Sequence, residues 1–187
     1  MSALYDRETT LALLHEFTRT DSLRRHAYAV EAAMGAAAAR TGNDVDYWRA
    51  VGLLHDFDYE MYPEAPDHPL QGAGILRARG YDDAFIDTIL SHASYTGVPR
   101  NNDCARWLFA VDELCGFCMA CAMVQPDKKI ASVKVKSVRK KLKKKDFAAK
   151  VNREEIREGA EDLGLEMDEI IAHVLEALVP VADDLGL

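Results

Sequence analysis

The sequence lacks a long uninterrupted hydrophobic run. Its most apolar stretch, residues 104–124, is interrupted by Arg106, Asp112 and Glu113, and charges at that depth in a bilayer are costly. The first ten residues, MSALYDRETT, lack the basic start and apolar stretch of a secretory signal. We therefore expect a cytoplasmic protein with no membrane association.

Cysteine is also scarce, with 4 residues among 187. Without a secretory signal, so few cysteines indicate reduced thiols and not a disulfide framework. Cys115, Cys118 and Cys121 are spaced three apart, but a structural zinc site needs four ligands, usually on turns, and only Cys104 remains. We expect the three spaced cysteines to be small core residues.

The alternation typical of β-strands is nearly absent. It occurs only at residues 130–138, where the apolar residues do not keep a strict period of two, so that segment is ambiguous. Elsewhere the apolar residues repeat with helical periodicity, which predicts at least seven helices. The eight candidate segments are at about 6–19, 21–41, 44–54, 67–79, 82–90, 103–123, 152–163 and 167–179. A chain of this length can bury one substantial core. The prediction is a single all-α domain over residues 1–187.

Basic residues are concentrated in one segment of an acidic chain. The net charge is -8, yet residues 128–150 contain eleven Lys or Arg and one acid. The segment could bind substrate phosphates, contact an acidic partner, or simply be a solvated basic face. If it binds phosphates, neutralising its lysines should raise the Michaelis constant of a phosphate substrate. The candidate substrate-binding residues are Lys128, Lys129, Lys134 and Lys136.

A nucleic-acid partner is not expected. The acidic net charge disfavours general binding to nucleic acid. Between Phe117 and Phe147 there is also no aromatic residue on which bases could stack.

Several ligand-type residues fall on apolar helix faces. His26 lies one helical turn from both Leu23 and Val30. His55, His92 and Asp112 occupy similar positions in their own helices. Taken singly, each would be an ordinary hydrogen-bonded core residue, although a buried carboxylate needs a partner or a metal. Four helices that each present one such group inward favour a metal site between helices.

The adjacent pair His55-Asp56 adds a constraint. Neighbouring helical residues point about 100° apart and reach one ion easily only near a helix end. The following FDYE and two prolines predict that end. His68 follows the expected cap Asp67, so we expect it in the first turn of its helix, facing the same cleft.

These residues resemble a known family. Along the chain, the ligand-type residues occur in the order His26, His55-Asp56, His68, His92 and Asp112. This order resembles the H, HD, H, H, D pattern of HD-domain metalloproteins, over about residues 20–125. The segments HDFDYE, VDELCGF and PDKKI with VKSVRKKLKKKDFA resemble small stand-alone bacterial HD proteins described as hydrolases. The resemblance implies an HD-domain-like helical bundle with a C-terminal helical extension at 126–187.

The resemblance also implies a metal site and an activity. One divalent ion would be held by His26, His55, Asp56 and Asp112. A second would be bridged by Asp56 and completed by His68 and His92. Imidazole with carboxylate suits Mn, Fe, Co, Ni or Zn. The implied activity is a metal-dependent phosphohydrolase acting on a small phosphorylated substrate, nucleotides included.

Catalytic roles are assigned to acids near the HD pair. Asp56 would act through the ions, and Asp58 and Glu60 are the candidates to orient or deprotonate water. The alternative is that Asp58 and Glu60 are solvated loop residues or support the ligands from behind. Where some HD phosphatases have an acid three residues after the HD aspartate, this sequence has Tyr59. Arg25, beside His26, is a further candidate phosphate contact, with an ion pair as the alternative.

Two other functions share the same pattern. Dinuclear-iron HD proteins that oxidise C–H bonds use the same ligand order, so an oxygenase is an alternative to the hydrolase. A metal-dependent binding or regulatory module without catalysis is a third. The three differ in bound metal, oxygen uptake and turnover of phosphate esters.

Overall fold

The computed structural model describes residues 3–187, and these residues form helices and no strand. The α-helices are α1 Arg7–Phe17, α2 Asp21–Thr41, α3 Val45–Leu54, α4 Asp67–Ala78, α5 Asp83–Leu90, α6 Asp103–Met123, α7 Val135–Leu142, α8 Arg153–Leu163, α9 Met167–Leu178 and α10 Ala182–Leu185. Short 3-10 turns lie at Ala3–Tyr5, Ser94–Thr96, Ile130–Ser132 and Val179–Val181. The predicted all-α fold is confirmed.

Helices α2 and α6 form the centre of the bundle. Each is 21 residues long, and α2 packs against α3, α6 and α9 while α6 packs against α8. Two glycines allow the backbones of neighbouring helices to approach closely. A Cβ on Gly52 of α3 would lie 2.8 Å from the carbonyl oxygen of Val30, and one on Gly159 of α8 would lie 2.5 Å from the Cα of Ala110. Helices α3 and α8 are therefore held tightly against the central pair.

Most predicted helix ends agree with the structure. Asp44 and Asp82 cap α3 and α5, because their side chains accept the backbone N–H groups of Tyr47 and Phe85. Gly164 ends α8 in the left-handed conformation, with φ of 65°. An aspartate at a helix start favours the capping position, but Asp21 is the first helical residue of α2 and Thr20 takes the capping position.

The start of α4 differs from the prediction. Asp67 is its first residue and makes no capping hydrogen bond. His68, expected in a regular first turn, has φ of −77° and ψ of 134° and interrupts the helix. The cause is Pro69, because a proline ring disfavours helical geometry in the residue before it. His68 is thereby turned into the interior, where it is buried.

The ambiguous segment at 130–138 contains no strand. It forms the turn Ile130–Ser132 and the beginning of α7, with Ile130, Val133 and Val138 buried. Its basic residues remain outside.

The cysteines and the remaining histidines are structural. All four cysteines lie in α6 as free, buried thiols, as expected. His173 is buried and contacts the carbonyl oxygen of Ala33, while His15 contacts the hydroxyl of Tyr28. None of the helices among residues 3–187 is long and apolar enough to span a bilayer.

Candidate metal centre

Three side chains from three helices form a first group of ligand-type atoms. His26 lies on α2, His55 at the C-terminal end of α3 and Asp112 in the middle of α6. Asp112 Oδ1 is 2.9 Å from His26 Nε2 and 3.4 Å from His55 Nε2. These three atoms lie within 4.8 Å of one another, so they could hold one metal ion.

A second group lies directly beside the first. It consists of Asp56, His68 and His92, whose ligand atoms also lie within 4.8 Å of one another. Asp56 Oδ1 is 3.1 Å from His68 Nε2 and 3.3 Å from His92 Nε2. The group could hold a second ion.

The carboxylate of Asp56 joins the two groups. Its Oδ1 faces His68 and His92, whereas its Oδ2 is 3.4 Å from His55 Nε2 and 3.9 Å from His26 Nε2. One oxygen is thus directed at each group. This is the arrangement required of a carboxylate that bridges two ions.

The orientation of three imidazoles is fixed from behind. The Nδ1 atoms of His55 and His92 donate to the carbonyl oxygens of Gly52 and Ile89, at 2.8 and 2.6 Å. His68 Nδ1 is 2.9 Å from Asp58 Oδ1. Since a carbonyl or carboxylate oxygen accepts, each Nδ1 carries a hydrogen and each Nε2 faces the cleft, where the neutral imidazole would offer its lone pair to an ion. Metal-binding histidines are held in this way.

His55 provides a direct test of whether a metal fits. Its side chain is fully buried, and its Nε2 has no hydrogen-bond partner in the described part of the chain. A buried polar atom without a partner is destabilising. A divalent ion between this nitrogen and the neighbouring carboxylates would satisfy all of them, so the donor set fits a transition metal.

Without an ion, the cluster binds protons. Burial is the largest influence on His55 and lowers its pKa, but Asp56 and Asp112 outweigh it and hold the pKa well above the usual value. Burial also lowers the pKa of His68, yet hydrogen bonds to Asp56 and Asp58 bring it to about 9. Burial would raise the pKa of Asp112, but His55 and His26 keep it below its usual range. An entering ion displaces these protons.

Five of the six ligand-type residues border a cleft of about 430 Å³. The sixth, His55, is fully buried beneath it. The cleft is also lined by Tyr59, Tyr95, Glu113 and Glu155. Burial, and next the charge of Asp112, raises the pKa of Glu113 to about 7, and the same two causes raise that of Glu155. Neither glutamate was singled out from the sequence. Glu113 could have been, because it follows Asp112 in an otherwise apolar helix, whereas Glu155 has no such signal.

A larger cavity, of about 720 Å³, lies elsewhere and includes none of these ligand-type residues. It is bordered by Glu31, which is buried between Arg7 and Arg49 at 2.8 Å from each. The two guanidinium groups compensate this carboxylate. The smaller cleft is therefore the candidate centre, because it is lined by the ligand-type histidines and aspartates and the larger cavity is not.

Asp58 and Glu60 do not have the positions expected of catalytic acids. Asp58 is buried behind His68, and its Oδ2 accepts the backbone N–H of Gly72 at 2.8 Å. Glu60 Oε2 accepts the N–H groups of Arg19 and Thr20 at 2.7 and 3.0 Å, at the start of α2. Neither residue lines the cleft. Asp58 orients a ligand-type histidine, and Glu60 fixes a helix start.

The predicted phosphate contacts also lie outside the cleft. Arg25 packs beside Gly186 at the end of α10, about 100° around α2 from His26, and does not line the cleft. In the basic segment, α7 packs against α6 and α9. Four exposed lysines of that segment are absent from the cleft lining, namely Lys128, Lys129, Lys134 and Lys136.

Comparison with known proteins agrees with this geometry. Residues 23–115 match the family described as HD domain. A tRNA (cytidine(56)-2'-O)-methyltransferase of Thermoplasma volcanium is 31% identical over 87 residues, which make up 46% of this chain and 25% of that protein. The chain thus covers a quarter of that relative. No solved structure shows significant similarity.

Proposed function

Because residues 23–115 make this chain a member of the HD-domain family, we propose that it is a metal-dependent phosphohydrolase acting on a small phosphate ester. The position of Asp56 is the observation that carries the proposal. Its two oxygens face two separate groups of nitrogen and oxygen ligands. A shared carboxylate between two such groups is suited to an ion pair that acts on one substrate phosphate.

Each ligand group has a distinct part in this proposal. His26, His55 and Asp112 would hold one ion, His68 and His92 a second, and Asp56 both. Two divalent ions would polarise the phosphoryl oxygens and lower the pKa of water for attack on phosphorus. In the proposed hydrolysis, the oxygen of water bonds to phosphorus and the ester P–O bond breaks. The leaving oxygen takes up a proton from water, and the products are an alcohol and inorganic phosphate.

The protein itself supplies orientation. The carbonyl groups of Gly52 and Ile89 and the carboxylate of Asp58 hold three imidazoles with Nε2 toward the cleft. Since these contacts come from helix backbone and a buried side chain, the ligands keep their positions without an ion. Such preorganisation reduces the reorganisation needed for binding.

The test is metal analysis of protein purified without chelators, combined with assays on a panel of phosphate esters with Mn, Co, Ni or Fe supplied. We expect bound metal and hydrolysis. In Asp112→Ala, we expect loss of metal and of activity with unchanged helix content in circular dichroism. Asp103→Ala is the matched control, because Asp103 lies on the same helix but is exposed and pairs with Arg106.

The other outcomes distinguish the alternatives. Full metal content in Asp112→Ala would exclude the proposed ligand set. Two redox-active irons with oxygen uptake and no ester hydrolysis would favour the oxygenase, since imidazole and carboxylate ligands suit iron equally well. Metal uptake without turnover of any ester would favour a binding module.

A further inference from the structure

The cleft has an unusual charge for an enzyme that binds phosphate. Among its fourteen lining residues there is no Lys or Arg, while Glu113 and Glu155 add two carboxylates to those of Asp56 and Asp112. Phosphate groups are commonly bound by arginine and lysine. Four carboxylates would balance the charge of two divalent ions, which leaves no positive excess for a polyphosphate chain. The cleft is therefore poorly suited to a nucleoside triphosphate.

The two glutamates have no Lys or Arg partner among the described residues. Neither forms an ion pair with a Lys or Arg anywhere in residues 3–187, although both are partly buried. Glu113 Oε2 accepts only the backbone N–H of Asn152, at 3.2 Å. The neighbouring glutamate Glu154, by contrast, pairs with Arg157. Partly buried carboxylates that pair with no Lys or Arg can contact a cationic group of a ligand.

Both glutamates are held in place by α8. Asn152 caps α8 and bonds to Glu113, and Glu155 lies in the first turn of the same helix. The contact of Gly159 with Ala110 fixes α8 on α6. The two carboxylates thus line one side of the cleft beside the ligand groups. We call this surface the acidic wall (Glu113 and Glu155).

Two aromatic rings complete the environment. Tyr59 and Tyr95 line the same cleft, with exposed fractions of 38% and 55%. The Tyr95 hydroxyl donates to the carbonyl oxygen of His68 at 2.5 Å, and the Tyr59 ring packs on the His68 ring at 5.2 Å. Aromatic faces attract cations, as carboxylates do. Rings and acidic wall together favour a positively charged group.

We propose that the substrate is a small phosphate monoester that carries an ammonium group. Its phosphate would face the histidine and aspartate ligands, and its ammonium group would contact Glu113 and Glu155. The inference rests on the proposed phosphohydrolase function and narrows its substrate class. The family resemblance includes nucleotides among the expected substrates, whereas this inference favours phosphorylated amino alcohols.

The test compares two esters of similar size, of which only one carries an ammonium group. In 2-aminoethyl phosphate an ammonium group takes the place of the terminal methyl group of propyl phosphate. We expect kcat/KM of the metal-loaded protein to be at least roughly tenfold higher for the amine, the size of one charge-assisted hydrogen bond. In Glu113→Gln and Glu155→Gln, this ratio should fall toward about one. Glu154→Gln, which changes the adjacent residue on the same helix, should keep the ratio of the unaltered protein.

A binding measurement separates this inference from the proposed function. Calorimetry with 2-aminoethylphosphonate and propylphosphonate reports recognition without ester hydrolysis. Tighter binding of the amine, lost in Glu155→Gln, supports the inference even if neither ester is hydrolysed, in which case only the phosphohydrolase proposal fails. Equal binding of both phosphonates, or hydrolysis of both esters at equal rates, overturns the inference and leaves the phosphohydrolase proposal in place.

Discussion

Replacing Asp58 with Asn should weaken one of the two ion positions selectively. Asp58 accepts two hydrogen bonds, from His68 Nδ1 at 2.9 Å and from the backbone N–H of Gly72 at 2.8 Å. An asparagine has one oxygen and one NH2 group. If its oxygen accepts from Gly72, its NH2 group faces His68 Nδ1 and favours the tautomer with hydrogen on Nε2. The lone pair that faces Asp56 is then lost.

The magnitude follows from what the buried carboxylate supports. Loss of one charge-assisted hydrogen bond at a buried position destabilises the fold by about 1.5–3 kcal/mol. Removing the partner of a ligating histidine typically weakens metal binding about 10–100-fold, or about 1.4–2.7 kcal/mol. The first group, at His26, His55 and Asp112, does not contact Asp58, so its affinity should change little.

The assay is calorimetric titration of metal-free protein with Mn²⁺ or Zn²⁺, together with thermal unfolding. Asp58→Asn should retain one tight ion and bind the second about 10–100-fold more weakly. Glu60→Gln is the control, because Glu60 belongs to the same loop but bonds only to the start of α2. If Asp58→Asn bound both ions as the unaltered protein does, the orienting role assigned to Asp58 would be refuted.

Three further predictions concern the surroundings of the centre. Changing Lys134 and Lys136 to Gln should leave KM for a small phosphate ester unchanged, because both lie outside the cleft; a raised KM in steady-state assays would return the basic segment to the site. Gly159→Ala should lower stability in denaturant titration by about 1–3 kcal/mol through overpacking, since its Cβ would lie 2.5 Å from the Cα of Ala110; unchanged stability would show that α8 can move away. In the metal-free protein the pKa of Glu113 is raised to about 7, so the folded state retains a proton that the unfolded chain loses, and stability falls as pH rises toward 7. Glu113→Gln should therefore raise the free energy of unfolding of the metal-free protein at pH ~8 by roughly 1–2 kcal/mol, after allowance for solvent screening. The melting temperature should rise accordingly at pH ~8 and change little at pH ~5. The same change in melting temperature at both pH values would contradict this.

The helices were predictable because their signals are local. Asp103–Met123 was predicted with its observed bounds, and Asp44, Gly164 and Gly80 each mark a helix end. Helical periodicity also placed His26, His55, His92 and Asp112 on inward faces. Each of these predictions depends on residues within one or two turns of the chain.

The rest of the centre depends on contacts that local patterns do not encode. Residues 55–66 have no regular period, so nothing in their spacing indicates that Asp58 is buried and Glu60 only partly buried. Glu155 reaches the cleft only because α8 packs on α6, many residues away in sequence. The charge of the segment at 128–150 suggested phosphate binding, but charge alone does not determine which face of the fold a segment occupies.

The close contact between Gly159 and Ala110 also determines how the cleft can open. With no side chain between the two helix backbones, α8 cannot be displaced without breaking a densely packed interface. The side of the cleft formed by Tyr59, Pro63 and Ala65, and by Ser94 and Tyr95, belongs instead to irregular segments and a short turn. We therefore expect any movement that widens the cleft to occur in those irregular segments, while the side formed by α8 stays in place.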